Sequence, residues 1–84
     1  MFFVYMVQCA DNTLYTGWTT DIMARIKQHN SGKGSKYTRT RRPVCLVFSE
    51  QCEDKSAALK REIAIKKLPR DQKMELIEKY KGIK

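Results

Sequence analysis

Two phenols, a guanidinium, an imidazole and a carboxylate stand out in the amino-acid sequence because of where they fall. Tyr5 lies in an apolar, β-rich run, and Tyr15 lies in a second, Thr13-Leu14-Tyr15-Thr16-Gly17. Arg25 and His29 follow at a spacing of four, and Glu62 comes later in the chain. A guanidinium offers a planar fork to developing negative charge. Phenol and imidazole move protons, and a lone carboxylate suits a hard cation. The chemistry such a set could do is proton transfer beside an anionic substrate.

The elements that must position these groups can be read in order. Phe2 to Gln8 predicts a mostly buried strand, and Ala10-Asp11-Asn12-Thr13 is turn chemistry, so the first two strands form a hairpin. Register decides whether the phenols can cooperate. A two-residue loop sets Tyr15 opposite Gln8 and turns the two tyrosines to opposite faces. Three residues or a bulge set Tyr15 opposite Cys9 and put both on one face. A joint role requires the odd count.

Thr20 before Asp21 predicts an N-cap with a carboxylate on the first turn. In the helix that follows, Ile22 and Ile26 mark the buried stripe, with Arg25 and His29 along its edge. Asn30-Ser31-Gly32 is a stop signal. Val44 to Ser49 is a continuous apolar strand, buried on both faces or central in the sheet. A second helix opens at Glu53-Asp54-Lys55-Ser56 and runs to Leu68, with an apolar arc of Ala58, Leu59, Ile63 and Ile65 and Glu62 in its middle. A carboxylate on a core-facing stripe is costly unless a cation meets it. Lys66, four residues on, is one such cation; a metal or an active site is the other explanation. Pro69 ends this helix and starts a third, to which Leu76, Ile77 and Tyr80 give an apolar side.

The chain of 84 residues carries a net charge of +8, and its cations are not spread evenly. No Asp or Glu occurs from Ile22 to Ser49. Lys33, Lys36, Arg39, Arg41 and Arg42 crowd a Gly/Ser/Thr-bearing loop that holds Tyr37 and is closed by Pro43. Such a segment calls for an anion, and cations interleaved with an aromatic suit phosphate contact plus stacking. Four phosphate contacts on duplex DNA would give a slope of log K against log salt of about −3.6. Three cysteines without C-x-x-C spacing, beside one histidine, argue against a disulfide framework or a zinc site and for a reducing, cytoplasmic setting. No apolar run approaches a membrane span. A single domain over residues 1–84, monomeric, is expected.

Taken together, these positions resemble the GIY-YIG nuclease family, in its small stand-alone branch, over nearly the whole chain. Phe3-Val4-Tyr5 stands at the first motif and Tyr15-Thr16-Gly17 at the second. Arg25, ten residues after the second tyrosine, is the helix arginine, and Glu62 is the metal-binding glutamate of the next long helix. His29 fits the histidine that some restriction enzymes of the family carry four residues after the arginine. The resemblance implies an α+β fold, a small, largely antiparallel three-stranded sheet flanked by helices in the order β-β-α-β-α-α. It implies a metal-dependent DNA endonuclease that hydrolyses phosphodiester bonds, on repair or branched intermediates. Glu62 would hold Mg²⁺ or another divalent cation such as Mn²⁺. Tyr5 would sit closest to the water, with Tyr15 as its hydrogen-bonding partner and His29 holding the proton network. Arg25 and the metal would favour the phenolate.

The alternative is a nucleic-acid-binding module of the same fold, on DNA or RNA, with little or no catalysis. Intact Tyr5, Tyr15, Arg25 and Glu62 favour the enzyme. Phe3 in place of the first motif's glycine, Trp18 where many DNA-repair members have lysine, and no appended specificity domain favour the module. In either case a recruiting protein could supply the target.

Overall fold

The computed structural model describes residues 1–83. Its elements are β1 (Phe2–Gln8), β2 (Leu14–Thr19), α1 (Ile22–Asn30), α2 (Lys36–Arg39), β3 (Cys45–Cys52), α3 (Lys55–Lys66) and α4 (Arg70–Ile83). The fold is α+β, with one antiparallel sheet in the order β2-β1-β3. The expected order of elements holds, with α2 as an addition. This single turn arises inside the basic loop because Ser35 caps it, accepting the Thr38 N–H at 3.2 Å.

The hairpin takes neither of the two registers considered from sequence. Tyr15 pairs with Val7 and Gln8 with Leu14, which leaves a five-residue loop, Cys9 to Thr13. The loop is longer because Asp11 organises it: its carboxylate accepts the Thr13 hydroxyl at 2.6 Å and the Thr13 N–H at 3.1 Å, and Asn12 takes a positive φ of 68°. The odd count survives, and parity is what matters. Tyr5 and Tyr15 share a face.

The third strand corrects another expectation. β3 is an edge strand, and β1 is the central one. Its apolar run does not alternate because it contains a bulge: Val7 pairs with Leu46 and Met6 with Phe48, so Val47 is the extra residue. Leu46 packs toward one side of the sheet, while Val47 and Phe48 pack toward the other.

Asp21, not Thr20, caps α1, its carboxylate accepting the Ala24 N–H at 3.1 Å. Gly32, at φ 87°, follows that helix as the stop signal implied. Asp54 caps α3 in the same way, through the Ala57 N–H at 2.8 Å. The apolar arc expected on α3 is only half used. Ala58 and Ile65 are buried, whereas Leu59 and Ile63 face solvent.

β1 divides the core into two. On one face Val4 and Met6 meet Phe48, Ile65 and Ile77, so α3 and α4 pack there. On the other, Tyr5 and Val7 meet Cys9 and Val44, with Tyr15, Ile26 and Leu46 alongside, and α1 closes that side. Each fully buried aliphatic side chain contributes about 1.5–3 kcal/mol, so the first cluster carries much of the stability.

Candidate active site

Tyr5 is at the centre of the second face, 1 % exposed. Its hydroxyl lies 2.7 Å from His29 Nε2 and accepts the Arg25 Nε–H at 3.3 Å. The phenol reaches this position over Gly17, directly opposite on β2. A Cβ at Gly17 would stand 2.8 Å from the Tyr5 oxygen, so the tyrosine of the first motif requires the glycine of the second.

α1 delivers Arg25 and His29 one turn apart. His29 is fully buried and is the only buried residue of that helix; Ile22 and Ile26, read from sequence as its stripe, are half-buried. The inversion has a physical cause, since the histidine plugs a polar hollow and both ring nitrogens are bonded. Nε2 meets Tyr5 and Nδ1 lies 2.8 Å from Thr38 Oγ1. Arg25 is held by three acceptors: Tyr5, the Gln28 side chain at 3.0 Å and the Gly34 carbonyl at 3.2 Å.

Tyr15 completes the wall without bonding to Tyr5, whose hydroxyl partners are His29 and Arg25. Its ring meets His29 edge-on at 5.3 Å and stacks on Tyr37 at 5.8 Å. The expected hydrogen bond between the phenols is therefore replaced by one from phenol to imidazole.

Electrostatics follow from burial. Loss of water pushes the Tyr5 phenol above its ordinary value, and the hydrogen bond and positive charge of Arg25, which pull it down, do not overcome this. The resting group is a phenol: Arg25 by itself does not bring about the phenolate that Arg25 and a metal together are expected to favour. His29 is held below the usual imidazole range, by burial first and by the Arg25 charge second. A neutral imidazole and a neutral phenol thus share one short hydrogen bond.

Glu62 makes no hydrogen bond or ion pair to this group. It is on α3, whose Ile65 packs on the opposite face of the sheet. Its ion-pair partner is Lys66 at 3.6 Å, the helix pair anticipated from sequence. The Glu62 charge is nevertheless felt at Tyr5, as the smallest of the influences that raise the phenol. Trp18, on the same side as Val4, packs against Phe2 at 6.1 Å and under the Lys55 ammonium at 5.4 Å, so it does not fill the Tyr5 hollow.

The basic segment splits into two groups. Arg41 bonds Asp11 at 3.0 Å and the Tyr37 carbonyl at 2.7 Å, and its guanidinium lies 4.0 Å from the Tyr37 ring centroid. Arg42 donates to the carbonyls of Arg39 and Asn30. The side chains of Lys33, Lys36 and Arg39 are exposed and make no hydrogen bond or ion pair to other described residues. Tyr37, read from sequence as a stacking platform, is already engaged by Tyr15 and Arg41.

Sequence reading missed Thr38, Gly34 and Gln28. The available signal is Ser35, three residues before Thr38: a cap pattern inside the basic loop.

Residues 1–75 match the family described as GIY-YIG catalytic domain. The chain is similar to a UPF0213 protein of Staphylococcus haemolyticus, 57% identical over 76 residues that span 90% of this chain and 93% of that one. It is also similar to a UPF0213 protein of Desulfotalea psychrophila, 60% identical over 76 residues, 89% of this chain and 69% of that one. Among solved structures, the solution NMR structure of a UPF0213 protein from Bacillus halodurans aligns with a TM-score of 0.59 at 44% identity, over 93% of this chain and 84% of that one. No helix among the described residues is long and apolar enough to cross a membrane.

Proposed function

The chain belongs to the GIY-YIG family, and from that premise we propose that it is a metal-dependent DNA endonuclease hydrolysing phosphodiester bonds, with repair or branched intermediates as its substrates. The observation that carries this reading is the meeting of Tyr5, Arg25 and His29 on one phenolic oxygen, with Tyr15 against the same imidazole.

Phosphodiester hydrolysis needs a water relieved of its proton, positive charge near the phosphoryl oxygens, and help for the leaving oxygen. A buried phenol with a raised pKa is a poor resting base. It is a good relay: the Tyr5 oxygen takes a proton from the attacking water as its own proton passes to Nε2 of neutral His29, 2.7 Å away. No free phenolate is required. Arg25 donates to the oxygen that carries charge during this transfer and presents its fork at the rim of the hollow.

No group of three or more His, Cys, Asp or Glu side chains that could hold a metal occurs among the described residues. The family resemblance assigns the metal to Glu62, and one carboxylate completed by waters and a substrate phosphate is how Mg²⁺ is ordinarily held. Glu62 would bind Mg²⁺ or Mn²⁺, and the ion, when bound, supplies Lewis-acid polarisation and stabilises the leaving oxygen. Lys33, Lys36 and Arg39 are the cations available to DNA phosphates, which lowers the expected salt slope to about −2.7.

The test is nicking of supercoiled and branched DNA with Mg²⁺ or EDTA. Nicking with Mg²⁺ and none with EDTA is expected. Glu62→Ala should abolish cleavage and leave DNA binding unchanged. Equal activity in that variant removes the metal assignment, and salt-dependent binding by an inert wild-type protein establishes the binding module instead.

A further inference from the structure

The hydrogen-bond chain through Tyr5 and His29 does not end at the imidazole. His29 Nδ1 lies 2.8 Å from Thr38 Oγ1, and Thr38 Oγ1 lies 3.0 Å from Ser35 Oγ and 3.4 Å from the Ser35 carbonyl. Thr38 is fully buried although both its neighbours, Tyr37 and Arg39, are exposed. It sits on the one turn of helix in the basic segment, and that turn is closed tightly onto the histidine. A Cβ built on Gly34 would collide with the His29 ring, and the Gly34 carbonyl accepts from Arg25 at 3.2 Å.

We propose that Thr38, seated by Ser35, is a positioning residue that holds His29 in the Nδ1–H tautomer and so keeps Nε2 free to take the Tyr5 proton. The direction of each bond follows from the donors available. Arg25 Nε–H donates to the Tyr5 oxygen, having no lone pair to offer. The Tyr5 O–H then needs an acceptor, and the one in reach is His29 Nε2. A neutral imidazole with Nε2 bare carries its proton on Nδ1, and the atom facing Nδ1 is the Thr38 oxygen. Thr38 in turn gives its own hydroxyl proton to Ser35. Each link satisfies the next, and no buried side-chain N or O among the described residues is left without a partner.

The role depends on a hydroxyl at this position. Its loss leaves Nδ1–H facing an apolar group, a buried donor without a partner. Moving the proton to Nε2 exchanges the stranded donor for a bare Nδ1 lone pair, with Nε2–H donating to the Tyr5 oxygen and the Tyr5 O–H turned away from the imidazole. The proton acceptor of the relay is then gone, though the fold and DNA surface remain. A histidine locked in the wrong tautomer costs a buried catalytic dyad up to about 10⁴ in rate.

This inference rests on the nuclease reading above, so its test has one readout independent of cleavage. Ring ¹⁵N spectra of wild type, Thr38→Val and Thr38→Ser, with His29 the single histidine of the chain, report the tautomer directly. Wild type and Thr38→Ser should be protonated at Nδ1, and Thr38→Val at Nε2. In the nicking assay Thr38→Val should lose on the order of 100-fold in kcat with KM unchanged, and Thr38→Ser should recover it. A wild-type Nε2–H form, an unchanged tautomer in Thr38→Val, or Thr38→Val at full kcat overturns the proposal. If no form of the protein nicks DNA, the nuclease reading fails and the spectra alone decide the tautomer claim. A Thr38→Val chain that does not fold leaves Thr38→Ser to decide it: an Nε2–H form there also overturns it.

Discussion

The two faces of β1 solve opposite problems with alternate residues of one strand. Val4 and Met6 enter an apolar cluster with Phe48, Ile65 and Ile77, beside which Thr16 is the buried polar neighbour. Tyr5, between them, enters a hollow where the next deepest group is a histidine. The apolar face tolerates approximate packing, because any hydrophobe of suitable volume serves. The polar face tolerates none, since burying a phenol, an imidazole and a threonine is affordable only if every donor finds its acceptor. The first face holds the molecule together, and the second holds a proton chain in place.

Removing the Tyr5 hydroxyl should separate the faces most sharply. Tyr5→Phe keeps the ring and should cost about 1–3 kcal/mol in stability, while cleavage falls by about 10²–10⁴-fold. Denaturant melts beside single-turnover kinetics make that comparison. Ile65→Ala is the mirror experiment: a loss of about 2–5 kcal/mol in urea unfolding, with cleavage per folded molecule unchanged. Similar losses of stability and activity in both variants would mean that the faces are not separable.

A pH titration gives a smaller effect with a definite sign. His29 is depressed below its unfolded value of about 6.5. Between its folded pKa and that value the unfolded chain binds a proton that the native chain refuses. Stability should therefore fall as pH is lowered through this window, with a slope of at most about 1.4 kcal/mol per pH unit. His29→Gln should flatten the slope. A rise in stability on acidification would show that His29 is charged in the native state, and the relay would lose its acceptor.

The smallest effect concerns the basic segment beside the polar face. Arg39→Ala should reduce the salt slope of DNA binding by about 0.9, and Arg41→Ala by less, because Asp11 and Tyr37 already occupy that guanidinium. Equal reductions would place Arg41 on DNA.

Much of this was legible in the sequence for reasons that are local. The Gly32 stop, the start of α3 after Asp54 and the break at Pro69 depend on a few neighbouring residues, whereas the cap of α1 falls at Asp21 rather than Thr20 and the hairpin loop is longer than two or three residues. Tyr5, Tyr15, Arg25 and His29 could be nominated together because strand parity and helix periodicity bring them to one side. What could not be read depended on long-range competition. Val47 bulges because β3 must serve two clusters at once. His29 displaces Ile26 from the deepest position because Thr38, nine residues on, offers a buried partner. Leu59 and Ile63 remain in solvent because the buried contacts of α3 are made by Ala58 and Ile65.

The central claim is that Glu62, on the helix packed behind the sheet, works with the tyrosines in front of it. Titration of Mg²⁺ into the protein, followed by ¹³C NMR of the Glu62 carboxyl and the hydroxyl-bearing carbons of Tyr5 and Tyr15, tests it most directly. All three signals should move along one saturable curve. A response at Glu62 with both tyrosines still, or no response at Glu62 at all, would contradict it.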